Sequence, residues 1–215
     1  MPETAPAADD RLARFTLDVA SPDLRHMTLD KSRLPGEVAA FEPLRDEPVD
    51  NDAYAKRGES LESPESLAAA KRLDGYETAF VVPQGASTLV EEPAELLEVA
   101  TAVHLFESPD DVQAWIDNSF VNRLRGGVGE SDALDRKIAG VELLRPAGFY
   151  GRAAGLLVLR EVPGGELVST VVEFQLGRVL GVATAVAKAD KTHLDLAVDL
   201  GSRLERQIVR VVLGG

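Results

Sequence analysis

The chain has no cysteine, one tryptophan, two methionines and three histidines among its 215 residues. Without cysteine there is no disulfide, no thiolate metal centre and no thiol nucleophile, so the fold has to rest on a packed core. No run of about 18 apolar residues occurs, the length a bilayer-spanning helix needs. Residues 1–20 lack the basic start and apolar middle of an export signal. Basic charge is also short: 23 Lys and Arg stand against 36 Asp and Glu, a net charge of −13. A nucleic-acid binder needs a basic stripe to displace counterions from phosphates, and a negative surplus repels anionic lipid headgroups. No nucleic acid, no membrane span, no metal and no cofactor is therefore expected; the acidity is read as a solvated surface.

What is present suits a globular protein. Hydrophobic residues make up 45% and charged residues 27%, and a chain of this length buries roughly 70% of its unfolded surface. Residues 1–27 open Met-Pro-Glu-Thr-Ala-Pro-Ala-Ala-Asp-Asp and read as a flexible acidic leader. Residues 28–215 form the folded domain, with two βα-type halves (28–130 and 138–215) as one way of dividing it.

Three segments begin Ser-Pro-acidic: Ser21-Pro22-Asp23, Ser63-Pro64-Glu65 and Ser108-Pro109-Asp110. Each offers a side-chain oxygen for the N-cap, Pro for the first turn and a carboxylate for the positive end of the helix dipole. Behind Ser108, Val112, Trp115, Ile116, Phe120 and Leu124 recur at helical spacing, which predicts a helix over about 109–125, ended by Gly126-Gly127. Ser63 predicts a helix to about Leu73, and Ser21 a short turn. Thr192 with Asp195 reads as a capping box for an amphipathic helix over 192–213, with Ala197, Gly201, Leu204 and Ile208 on one face.

Between these helices the period falls to two. Leu156–Val162, Leu167–Leu176 and Val179–Val186 are rich in Val, Leu, Phe and Thr, and are separated by Pro163-Gly164-Gly165 and Gly177-Arg178. Such Gly-containing breaks between apolar runs signal hairpins, so the class is α+β: an antiparallel meander over 141–188, with Val141–Arg145 as a further strand, covered by helices. Tyr76–Val82 reads as a strand. Leu97–Phe106 satisfies both periods, and the alternation of Leu97, Val99, Thr101, Val103 and Leu105 favours strand. Residues 42–62, with Pro43, Pro48 and many acids, read as a surface loop.

No catalytic set emerges. His26, His104 and His193 are isolated from one another, and no Gly-x-Ser-x-Gly elbow occurs. The acids Asp46, Glu47, Asp50 and Asp52 lack the regular alternation of a calcium loop. Gly126-Gly127-Val128-Gly129 lacks the Lys of a phosphate-binding loop and follows a helix, so it reads as a hinge. Glu173, flanked by Val172 and Phe174, falls on the opposite face of its strand, most simply the wet one. Trp115, Phe120, Phe149 and Tyr150 form the main aromatic mass, and with His104 they are the candidate lining of an apolar pocket between helix and sheet.

The order of Leu34-Pro35-Gly36, Gly75-Tyr76-Glu77-Thr78-Ala79-Phe80, His104-Leu105-Phe106-Glu107-Ser108-Pro109-Asp110 and Val172-Glu173-Phe174-Gln175-Leu176-Gly177-Arg178 resembles a group of bacterial secreted proteins and lipoproteins. These are similar in outline to Mog1/PsbP-like folds and to the extracellular sensor domains of some bacterial kinases. The likeness spans about 28–213. It implies an extracytoplasmic, noncatalytic α+β module that binds a small apolar ligand or a cell-envelope protein. The chain departs from that group in lacking a lipidated Cys and an export signal, which keeps a cytoplasmic location as the alternative. Two rival readings stand beside it: an enzyme of NTF2-like shape using His104 or Glu173 in a pocket, and a structural subunit forming a homodimer.

Overall fold

The computed structural model describes residues 10–57, 61–83, 96–188 and 192–214. In chain order these form α1 (Asp10–Phe15), α2 (Ser21–Met27), β1 (Glu42–Pro48), α3 (Asn51–Lys56), α4 (Pro64–Ala69), β2 (Arg72–Val81) and β3 (Leu96–Phe106). Then come α5 (Pro109–Ala114), a π-helical stretch (Trp115–Asn122), α6 (Arg123–Gly126), β4 (Lys137–Leu144), β5 (Ala153–Val162), β6 (Gly165–Leu176), β7 (Val179–Lys188) and α7 (Leu194–Val212). The strands make one antiparallel sheet in the order β1-β2-β3-β7-β6-β5-β4. The α+β class and the meander expected from the alternating runs are thus present, and Leu96–Phe106 is a strand. Among the described residues no helix is long and apolar enough to cross a membrane.

Successive side chains on a strand point to opposite faces, and β6 and β7 divide accordingly. Val172, Phe174 and Leu176 with Ala183 and Ala185 face α7, where Leu200, Leu204 and Ile208 are fully buried; each such side chain contributes about 1.5–3 kcal/mol. Gly181 has a steric reason, because a Cβ there would run into the Phe174 ring. On the opposite face stand Val171, Glu173, Val182 and Thr184, under a roof made by α3 and by the α5–π–α6 segment.

Several local expectations are corrected. Residues 10–27, expected to belong to the leader, carry two helices, and Val19, Leu24 and Met27 enter the core. Long-range polar bonds hold the region in place. The Arg178 guanidinium donates to the carbonyls of Thr16, Leu17 and Val19, while Leu29 is bonded through its N–H to Thr101 (3.2 Å) and through its carbonyl to Thr78 (2.9 Å). Residues 42–62 contain β1 and α3 instead of continuous loop. β1 is an edge strand with mostly exposed side chains, so it carries no hydrophobic alternation and tolerates Pro at its ends.

Caps shift as well. Ser63 and Ser108 cap α4 and α5 as expected, accepting from the N–H of Ser66 and Asp111. Ser21 lies inside α2, whose N-cap is Ala20 held by the Asp23 carboxylate at 2.8 Å. His193, rather than Thr192, caps α7, without a side-chain bond. It is half-buried, where exposure was expected. Helix α4 stops at Ala69 instead of Leu73, because Lys71 turns the chain at φ 64° into β2.

Candidate functional site

A cavity of about 510 Å³ lies between the roof and the face of the sheet opposite α7, within the size range of small-molecule sites. Its floor is built from short side chains: Ala100 and Ala102 of β3, Val182 and Thr184 of β7, and Val171 of β6. Tyr54 of α3 and Trp115 and Phe120 of the π-helical stretch close it from above.

The π-helix explains how Trp115 and Phe120 meet. Five residues at 100° each place two side chains about 140° apart around an α-helix. The i→i+5 bonding of a π-helix widens the turn and brings positions five apart back to one side. Both rings are buried over the cavity. Trp115 is further fixed by Tyr54 (centroids 6.1 Å apart) and Phe106 (5.7 Å).

Charged groups stand in the walls, and most are paired. Glu77 of β2 accepts from Arg45 (2.5 Å) and from Arg57; Arg45 also reaches Glu98, and Arg57 reaches Glu47 at 2.7 Å. On the other side Asp132 accepts from Arg136 at 2.8 Å and lies 3.3 Å from Arg160, which also donates to Ser169. Arg136 donates to the Arg57 carbonyl at 3.3 Å, linking the two walls.

Glu173 of β6 differs. It is 3% exposed, and its Oε2 has no hydrogen-bond partner among the described residues. Burial pushes its carboxyl up to about 8, and the nearby Trp115 indole offsets this a little, although its Nε1 closes no hydrogen bond of normal geometry. Loss of hydration disfavours a charged carboxylate, so this acid is largely protonated near neutrality. Its strand face is the one expected, but that face is roofed rather than wet.

The five expected pocket residues separate. Trp115 and Phe120 line the cavity. His104 is buried beside it, taken up by a different cluster: its Nδ1 accepts from Arg72 at 3.0 Å, and its ring packs edge-on against Tyr54 at 5.1 Å. Since a guanidinium only donates, the His104 proton sits on Nε2. Burial first, then the charges of Arg72 and Arg57, hold the imidazole well below its usual range. Arg72 also donates to Asn51 (2.7 Å) and the Val49 carbonyl (2.6 Å), over the face of Tyr54. Phe149 lies across the sheet, stacked on Phe174 at 5.0 Å and against Gly201 of α7. Tyr150 is 75% exposed.

Tyr54, Arg45, Lys56, Arg57, Glu77, Arg136 and Arg160 are among the cavity residues that sequence reasoning missed. The acids near them were read as one loop cluster. Asp46 instead accepts from the Tyr76 hydroxyl and Asp50 caps α3, while Glu47 pairs with Arg57.

Neither a family model nor a curated protein matches the chain. Among solved structures the chain is similar to the extracellular domain of PknH from Mycobacterium tuberculosis, with 13% identity, a TM-score of 0.57, and coverage of 92% of this chain and 98% of that one. What is shared is the fold of that extracellular domain, in line with the outline drawn from the sequence.

Proposed function

We propose that the chain is a noncatalytic, extracytoplasmic binding module whose cavity takes a small molecule with an apolar body. The observation that carries this reading is the roofed cavity itself. It has a floor of Ala, Val and Thr, a ceiling of Tyr54, Trp115 and Phe120, and a few charged groups in its walls, the composition of a small-molecule site. The candidate acid–base residues support a binding role over catalysis: His104 is engaged by Arg72, and Glu173 neighbours Trp115, so the two do not act on one point. The extracytoplasmic placement draws on the fold shared with the extracellular domain of PknH.

Trp115 is the only tryptophan and lies in the cavity roof, so its fluorescence reports occupancy. Titration with short single-chain amphiphiles is expected to shift its emission saturably. Ala100→Phe, which fills the floor, is expected to abolish the shift while leaving the circular dichroism spectrum intact. An unchanged response in the filled variant defeats this reading.

A further inference from the structure

Two acids in the cavity region, Glu77 and Asp132, each have two guanidiniums: Arg45 and Arg57 for the first, Arg136 and Arg160 for the second. Glu173 has neither a cation nor a hydrogen-bond donor on its Oε2 among the described residues. It faces Val182 and Ala154 on the neighbouring strands and Trp115 above, none of them cationic. A buried carboxyl oxygen without a donor calls for an explanation, and its place in the wall of a cavity supplies one.

We infer that Glu173 is the counter-ion for a ligand ammonium group: the cavity selects an apolar amine, whose cation pairs with the Glu173 carboxylate beneath the aromatic roof. This rests on the cavity being a ligand site. Three features converge on a cation. The carboxyl lacks the positive partner that Glu77, Glu98 and Asp132 each have. The Trp115 ring in the roof stands beside it and shields the site from bulk water, where a charge-assisted hydrogen bond is strongest. The wall guanidiniums of Arg45, Arg57, Arg136 and Arg160 are each paired with a carboxylate, which offsets their repulsion of a cation. Lys56 adds one further ammonium at the wall, and the net charge of −13 draws cations toward the molecule. The apolar floor then holds the hydrocarbon body. A cation arriving at Glu173 favours its charged form and reverses the effect of burial.

The test compares n-octylamine, n-octanol and n-octanoate, which share a chain length and differ in head group, by calorimetry and Trp115 fluorescence on the full chain. Octylamine is expected to bind about 10-fold or more tightly than octanol, as a charge-assisted hydrogen bond requires. Glu173→Gln is expected to remove that preference while keeping the octanol affinity. Octanol or octanoate binding as tightly as octylamine overturns the inference, as does an amine preference that survives Glu173→Gln. Either result leaves the cavity reading standing. If none of the three probes binds, the cavity reading and this inference fail together. Should the Gln variant not fold, the ranking of the three probes on the unaltered protein decides alone.

Discussion

Glu77 and Glu173 lie in one lateral row of the sheet, separated only by Ala102 and Val182, which puts them about 14 Å apart at the usual strand spacing. Both side chains are almost wholly buried, at 2% and 3% exposure. One is neutralised by two guanidiniums and the other by none. Two carboxyls on one face therefore have opposite consequences for stability.

For Glu77 the consequence is structural. Removing one partner of a buried ion pair leaves uncompensated charge, here on Arg45 and Arg57, whose side chains are 29% and 15% exposed. That partial exposure reduces the penalty, so Glu77→Ala is expected to lower stability by about 2–4 kcal/mol. Urea unfolding at pH 7 measures it; a loss below about 0.5 kcal/mol shows that the arginines are already adequately hydrated.

For Glu173 the effect has the other sign and depends on pH. Its carboxyl moves from an ordinary value of 4.5 to about 8 in the folded protein, so between those limits the folded state holds a proton that the unfolded state has lost. The contribution is full below the lower value and disappears as pH rises through the upper one. Glu173→Gln is expected to change stability little at pH 4 and to raise it by roughly 2–4 kcal/mol at pH 9. Thermal unfolding across that range checks it, and a difference that stays constant with pH refutes the burial argument.

His104 imposes the acid limit. Its imidazole is held neutral by burial and by the charges of Arg72 and Arg57, so a proton taken up by the unfolded state below the ordinary histidine value is refused by the folded one. The stability it confers is present above about pH 6.5 and falls as the solution is acidified. His104→Asn, whose amide oxygen can take over the bond from Arg72, is expected to start about 1–3 kcal/mol less stable and to show a flatter decline between pH 7 and 5. Parallel slopes in the two proteins dismiss His104 as the titrating group.

How far the sequence carried the fold follows from where each signal resides. Ser63 and Ser108 were legible because capping is a matter of three or four consecutive residues, and β6 and β7 because alternation is local too. β1 was hidden: an edge strand buries neither face, so Glu42–Pro48 has nothing to alternate. Trp115 and Phe120 were found at the site, although by a periodicity of 3.6 that the π-helix replaces. The face of Glu173 could be deduced from Val172 and Phe174. Its burial could not, because the roof over it comes from a segment almost sixty residues earlier in the chain.

The separation of the aromatics supplies the last test. Phe120 and Phe149 were expected to line one pocket, yet they stand on opposite faces of the sheet, Phe120 in the cavity roof and Phe149 stacked on Phe174 under α7. Truncating either removes packed hydrocarbon, so Phe120→Ala and Phe149→Ala are each expected to be destabilising, by about 2–4 kcal/mol for the buried Phe120 and less for the half-buried Phe149. Their effects on binding should diverge. Loss of the Phe120 ring enlarges and opens the cavity, and is expected to weaken octylamine binding by about 10-fold, in proportion to the apolar area of the ligand left facing water. Loss of the Phe149 ring loosens α7 against the sheet and is expected to leave that affinity within about 2-fold, the range of an indirect effect. Calorimetry on the two variants, well below their unfolding temperatures, distinguishes the faces. Equal weakening by both would mean that the sheet does not insulate the cavity from α7, and would move the binding surface away from the Trp115 roof.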